Sequence, residues 1–118
     1  MTANADCIFC KIVAGEIPAK ILMEEDDLIV FHDIQGQAPT HLLVIPKRHI
    51  ATLNEVAQPS AEDERLLGRL LSACPRAAAR AGVDSYRVVN NCGEAAGQSV
   101  FHIHLHVLAG REFAWPPG

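Results

Sequence analysis

His102-Ile103-His104-Leu105-His106-Val107 places three of the chain's six histidines at strict two-residue spacing, with branched aliphatics between them. Apolar and polar positions that alternate with period two read as a half-buried β-strand. One side of such a strand enters a core and the other presents three imidazoles in a row. Same-face neighbours on a strand lie about 6.5–7 Å apart, close enough to share one small ligand. The row is therefore a candidate site for phosphate chemistry, and the rest of the chain has to supply a sheet to hold it.

The remaining sequence fits that demand. Its 118 residues suit one domain, 1–118, large enough to bury a core without disulfides. A formal charge of −4 argues against non-specific binding of nucleic acid or an anionic membrane. No uninterrupted apolar run is long enough to span a bilayer. Residues Met1 to Asp6 lack the charged and apolar regions of a signal peptide, so a cytoplasmic location is expected. In that compartment the four cysteines are expected to be thiols or metal ligands.

Along the chain, Asp6 to Val13 reads as a helical turn or two ending at Gly15 and Pro18. Its Cys7-x-x-Cys10 suits half of a tetrahedral zinc site, a redox pair, or two packed thiols. Lys20–Glu24 and Leu28–His32 flank the charged turn Glu25-Asp26-Asp27, as in a hairpin. Asp33 follows at the strand end, either as an acceptor for ligand hydroxyls or as a solvated turn carboxylate. His41 to Ile45 is an apolar run bounded by prolines, which suits a central strand buried on both faces. His41 stands at the mouth of that strand, and Lys47-Arg48-His49 follows it.

Ser60 and Asp63 predict a helix start, and Leu66, Leu67, Leu70, Leu71 and Cys74 recur at helical spacing. Gly82 is the expected terminator. Pro75 inside this helix is expected to kink it. Tyr86 to Asn90 predicts a further strand, followed by a small-residue loop, Asn91 to Gly97, whose amides can approach an anion.

The histidine row has three readings. A merely solvated face fits poorly with three even spacings. A three-histidine metal centre fails on a regular strand, because positions i and i+4 lie about 13 Å apart. Nucleophilic catalysis fits best: a central neutral imidazole attacks phosphorus while its neighbours and the loop hold the oxygens.

The same residues carry a resemblance. His102-x-His104-x-His106 resembles the histidine triad signature. Phe9, Ile17-Pro18-Ala19-Lys20, Phe31-His32-Asp33-Ile34 and Gln37-Ala38-Pro39-Thr40-His41 follow the family pattern in order. So do Val44-Ile45-Pro46-Lys47, Gly97-Gln98-Ser99-Val100 and the terminal Trp115-Pro116-Pro117-Gly118. Within the histidine triad superfamily the chain most resembles the nucleotide-binding, protein kinase C inhibitor-like branch.

That resemblance implies hydrolysis of purine nucleoside 5′-phosphoramidates to a nucleoside monophosphate and an amine. His104 matches the nucleophile that forms a nucleotidyl-histidine intermediate. His106 matches a phosphate-contacting partner, and His41 the histidine that buttresses the triad. Ser99 with the Gly97–Gln98 backbone matches a phosphate cradle. Asp33, with Ile34 beside it, matches the nucleoside subsite as acceptor of ribose hydroxyls. Asn90 matches a strand-end amide, with Asn91 the alternative because the loop is one residue longer here.

The resemblance also implies a structural zinc held by Cys7, Cys10, His49 and His102. It implies an α+β fold, a five-stranded, mostly antiparallel sheet with one main helix, and a homodimer whose sheets join into one surface. Trp115 resembles a residue that reaches toward the partner's site. Two rival activities stand beside the first. One is dinucleoside polyphosphate hydrolysis; the other is nucleotide-dependent regulation with incidental turnover. Nucleotidyl transfer is disfavoured, because His106 stands where the transferase branch carries glutamine.

Overall fold

A computed structural model describes residues 4–118. The part of the leader reading that rests on Met1 to Ala3 lies outside them. Helix α1 spans Ile8–Val13, and strands β1 (Ile21–Glu24) and β2 (Leu28–His32) form the expected hairpin. Strand β3 (Thr40–Pro46) follows, then a 3-10 turn over Leu53–Val56 that sequence spacing did not announce. Helix α2 (Ala61–Ala81), β4 (Tyr86–Val89), a second 3-10 turn (Glu94–Ala96) and β5 (Leu105–Ala109) complete the order. The strands form one sheet in the order β1-β2-β3-β5-β4, and every pairing is antiparallel. The fold is α+β, as expected.

Local chemistry explains the boundaries of α2. Ser60 Oγ accepts from the Asp63 amide at 3.0 Å, and Asp63 Oδ2 accepts from the Ser60 amide at 3.1 Å. This reciprocal box satisfies two amides at the helix start, where a cap is worth about 1 kcal/mol. Gly82 ends the helix at φ 80°, a left-handed conformation that glycine adopts without steric cost. The helix continues through Pro75, which is exposed. The proline leaves the Leu71 carbonyl without its helical donor, but Leu71 is itself 58% exposed and water can serve that oxygen. Leu71 therefore falls outside the buried stripe on which its spacing placed it.

Strict alternation along the two most buried strands feeds two cores. Leu28, Val30, Leu42, Val44 and Val107 pack against Leu70, Ala73, Cys74 and Ala77 of α2. Ile29, Phe31, Leu43 and Ile45 point the other way, onto Cys7, Phe9, Cys10 and Ile12 of α1. With both sides covered, β2 and β3 carry apolar residues almost continuously, as a central strand requires. Register then fixes the histidines. His106 stands opposite Leu43, and His41 opposite Leu108, which puts both imidazoles on the α1 side of the sheet.

The histidine row departs from the strand expected of it. Strand β5 begins only at Leu105, so His102, Ile103 and His104 lie ahead of the ladder. All three are buried, His102 completely at 0% exposure. The Ile103 amide donates to the Ile50 carbonyl at 2.6 Å instead of to a neighbouring strand. The row is thus not an exposed face of three equivalent imidazoles. Among the described residues, no helix is long and apolar enough to cross a membrane.

Candidate active site and metal cluster

His104 sits just before β5 and is held on two sides. Its Nδ1 donates to the His102 carbonyl at 2.7 Å, and Asn90 Nδ2 donates to its own carbonyl at 2.9 Å. Phe9 of α1 packs edge-on against it with ring centroids 5.1 Å apart. A proton committed to Nδ1 leaves Nε2 of the neutral ring with a free lone pair. Burial depresses the pKa of His104 below the ordinary imidazole value, opposed by the His102 carbonyl and by Asp33.

Beside it, His41 and His106 form a directed pair. The Gln37 amide donates to His41 Nδ1 at 3.0 Å, so the His41 proton resides on Nε2. That nitrogen lies 2.9 Å from His106 Nδ1 and 3.5 Å from Asp33 Oδ2. The His106 proton is thereby placed on its own Nε2. The rings of His104 and His106 are 5.0 Å apart. Burial, then the neighbouring His104 and His41, lower His106 to about 4. Burial also lowers His41, against the pull of Asp33. Asp33, His41 and His106 bring three donor atoms together. With His41 Nδ1 occupied by an amide, however, the set works as a hydrogen-bond relay rather than a ligand set.

On the far side of His102 lies the second cluster. Cys7, Cys10, His49 and His102 bring one donor atom each to within 4.8 Å of one another. His102 Nδ1 is 3.3 Å from Cys7 Sγ and 3.5 Å from Cys10 Sγ, while His49 Nδ1 is 3.4 Å from Cys10 Sγ. Bond lengths of zinc to sulfur and nitrogen give tetrahedral edges of about 3.3–3.8 Å, so these separations fit. The orientation fits too: His102 Nε2 donates to the Pro46 carbonyl at 2.7 Å, which turns the Nδ1 lone pair toward the sulfurs. The Cys10 and Asn4 amides donate to Cys7 and Cys10 Sγ at 3.3 and 3.4 Å. Burial raises the Cys10 thiol, so a divalent ion would have to supply the charge that ionises it.

The loop residues divide differently from expectation. The Gly97 and Gln98 amides donate to the Glu94 and Gly93 carbonyls at 2.9 and 3.0 Å. Both amides are engaged in the loop's own turn. The Gln98 side chain, buried at 4%, accepts from the Gly93 amide at 2.8 Å and donates to the Ala51 carbonyl at 2.8 Å. Ser99 is exposed and lines a cleft of about 280 Å³ together with Cys7 and His49. Of the two asparagines, Asn90 reaches the backbone of His104, whereas Asn91 Nδ2 donates to Ala96 within the loop at 2.8 Å. Asp33 Oδ1 accepts from the Gln35 amide at 2.8 Å, and Ile34 is 95% exposed beside it. A cleft of about 590 Å³ lies elsewhere, between β4 and residues 111–114.

Residue spacing gave no sign of the Gln98 clasp, of the Pro46 carbonyl or of the Gln37 amide. Each acts across a loop through backbone groups, which carry no side-chain signature. Phe9 was visible as an apolar residue, but not as a wall against two histidines.

An antiparallel sheet with paired imidazoles at the start of its inner strand, and a Cys2His2 cluster behind them, defines the class of protein. The HIT domain family matches residues 14–113. An uncharacterized HIT-like protein of Synechococcus elongatus is 50% identical over 98% of this chain and 99% of its own length. Another from Synechocystis is 49% identical over 96% and 97%. A crystal structure of a HIT family hydrolase from Legionella pneumophila superposes with a TM-score of 0.89 at 48% identity, covering 96% of this chain and all of the other. A histidine triad protein from Clostridium difficile gives a TM-score of 0.86 at 37% identity, covering 94% of this chain and 96% of the other. The chain belongs to the HIT family.

Proposed function

We propose that this protein is a hydrolase that cleaves purine nucleoside 5′-phosphoramidates through a nucleotidyl-histidine on His104. The observation that carries this reading is the 2.7 Å bond from His104 Nδ1 to the His102 carbonyl, which reserves Nε2 for attack. The description of the Legionella relative as a HIT family hydrolase supports the reaction class.

In the first step the Nε2 lone pair of His104 bonds to phosphorus and the phosphorus–amine bond breaks, with a proton going to the departing amine. Water then attacks the same phosphorus, the phosphorus–His104 bond breaks, and the nucleoside monophosphate leaves. Splitting the displacement in this way replaces one difficult step by two easier ones. His106 Nε2–H, fixed by the His41 relay, is the donor to the phosphoryl oxygens where charge accumulates. Asp33 accepts from ribose hydroxyls, Ile34 offers the base an apolar contact, and Ser99 contributes its hydroxyl to the phosphate.

Cys7, Cys10, His49 and His102 would hold a zinc ion in a closed four-ligand shell, where it supplies structural rigidity. A homodimer joined into a ten-stranded surface belongs to the same reading. It is supported by the edge position of β4 and by Trp115, which is 83% exposed.

Intact-protein mass spectrometry after brief exposure to adenosine phosphoramidate at low pH tests the proposal. A nucleotidyl adduct that maps to His104 and vanishes in His104→Ala is the expected result. Turnover that survives His104→Ala sinks the nucleophile. Faster cleavage of diadenosine polyphosphate than of the phosphoramidate favours the rival hydrolase, and binding without turnover of either favours the regulatory reading.

A further inference from the structure

The two histidine clusters share one residue, and that residue faces both. His102 turns its Nδ1 to Cys7 and Cys10 and gives its carbonyl oxygen to His104 Nδ1–H. Its Nε2–H is pinned on Pro46 at the end of β3, and its ring is fully buried. Both contacts belong to one residue, so a main-chain shift of His102 that adjusts its distance to the sulfurs also moves the carbonyl that orients His104.

A second route runs in parallel. Three consecutive residues join the cluster to the active-site segment. His49 Nδ1 lies on Cys10 Sγ, the Ile50 carbonyl accepts from the Ile103 amide, and the Ala51 carbonyl accepts from Gln98 Nε2. Gln98 in turn holds the Gly93 amide, so the loop is tied to Ala51, two residues after His49. Without a metal the cluster holds together through thiol–imidazole contacts. Cys7 Sγ lies 3.3 Å from His102 Nδ1, and Cys10 Sγ lies 3.4 Å from His49 Nδ1 and 3.5 Å from His102 Nδ1. A central cation would replace these pairwise contacts by taking all four donors at once.

We infer that His102 is the positioning residue of this site, and that metal occupancy of the Cys7–Cys10–His49–His102 cluster sets the ring orientation of His104 and the shape of the 93–98 loop. The inference rests on the reading of His104 as nucleophile, but its consequence is structural. The metal site is then an effector site of the active centre.

The test is histidine-ring nitrogen NMR of the full chain, loaded with zinc, stripped by a chelator, and reloaded with cadmium. Loaded protein should show His104 as a single Nδ1–H tautomer. Stripping should convert it to an averaged pair of tautomers and move the 93–98 amide signals, with recovery on zinc addition. Cadmium, which binds the same donors at longer distance, keeps the cluster closed and covers the case in which stripped protein unfolds; it should still displace the His104 ring signals.

Gln98→Ala supplies a second arm, because it leaves every metal donor in place. In that variant the loop amides should stop responding to the exchange of zinc for cadmium while the His104 signals still respond. His104 signals and loop amides that are identical in zinc and cadmium forms overturn the inference. None of these readouts needs turnover. A chain that lacks phosphoramidase activity yet couples the two clusters would refute the proposed reaction and leave this inference standing.

Discussion

Asn90 Nδ2 donates to the backbone oxygen of His104 at 2.9 Å, from the residue that follows β4 to the residue before β5 begins. The bond holds the main chain of His104 just ahead of the ladder. Asn90→Ala leaves that carbonyl without its donor, which costs about 1–3 kcal/mol when the group is buried. Asn91→Ala removes only a bond within an exposed loop and should cost less than about 1 kcal/mol. Urea titration of both variants, with turnover measured in parallel, checks the assignment. An Asn91→Ala defect as large as that of Asn90→Ala would reverse it.

Cys7 is both a member of the cysteine–histidine cluster and the N-cap of α1, where its Sγ accepts from the Cys10 amide. Cys7→Ser should therefore lower bound zinc and melting temperature together, because metal binding to such a site contributes directly to folding. Serine can still cap the helix, so the loss should track the metal and not the cap. Metal analysis beside thermal melting decides it. Unchanged zinc content with a normal melt would remove Cys7 from the ligand set.

Local signals were legible and long-range ones were not, and the histidine row displays both. Ser60, Asp63 and Gly82 marked α2 to the residue, because caps act within one turn. The apolar runs from Leu28 to Phe31 and from His41 to Ile45 marked β2 and β3, because their pattern reflects burial on two faces. Alternation misled at His102 to His104. The spacing was right for a strand, but His102 is claimed by Cys7, 95 residues away, and Ile103 by the Ile50 carbonyl. Those two ties draw the segment out of the ladder, and no local pattern encodes them. The resemblance brought the distant cysteines into the same cluster, where spacing alone left them as a pair with three readings. It also carried over a backbone cradle at Gly97 and Gln98, whose amides are engaged in the loop's own turn.

Residues 111–118 follow β5 along β4. Arg87 donates to the Ala114 carbonyl, and Arg87 and Arg111 lie over the Phe113 ring at 5.2 and 4.2 Å. Trp115 beyond them remains 83% exposed. Deleting residues 114–118 should leave the zinc content and the sheet intact, yet change the ranking of phosphoramidates that differ only in the amine. That outcome follows if Trp115 borders the partner's site in a dimer. Identical substrate profiles for the full and shortened chains, measured as kcat/KM, would assign the tail no part in recognition.

The neutral state of the imidazoles fixes how stability depends on pH. His106 is lowered to about 4 chiefly by burial, and His41 is lowered for the same leading reason. In the unfolded chain both titrate near the ordinary value of about 6.5. Between those limits the unfolded chain binds the extra protons, so unfolding gains on folding as pH drops. The contribution of these residues to stability is fully present above about pH 6.5 and is lost progressively as pH falls toward about 4. Melting temperature should therefore decline from pH 7 to pH 4.5. The metal ligands would add a decline of their own, so the comparison is between the zinc-free chain and zinc-free His106→Gln. The variant lacks one buried imidazole that must be kept neutral, and its melting temperature should fall less steeply over the same range. Parallel declines would mean that His106 is not held neutral by the fold.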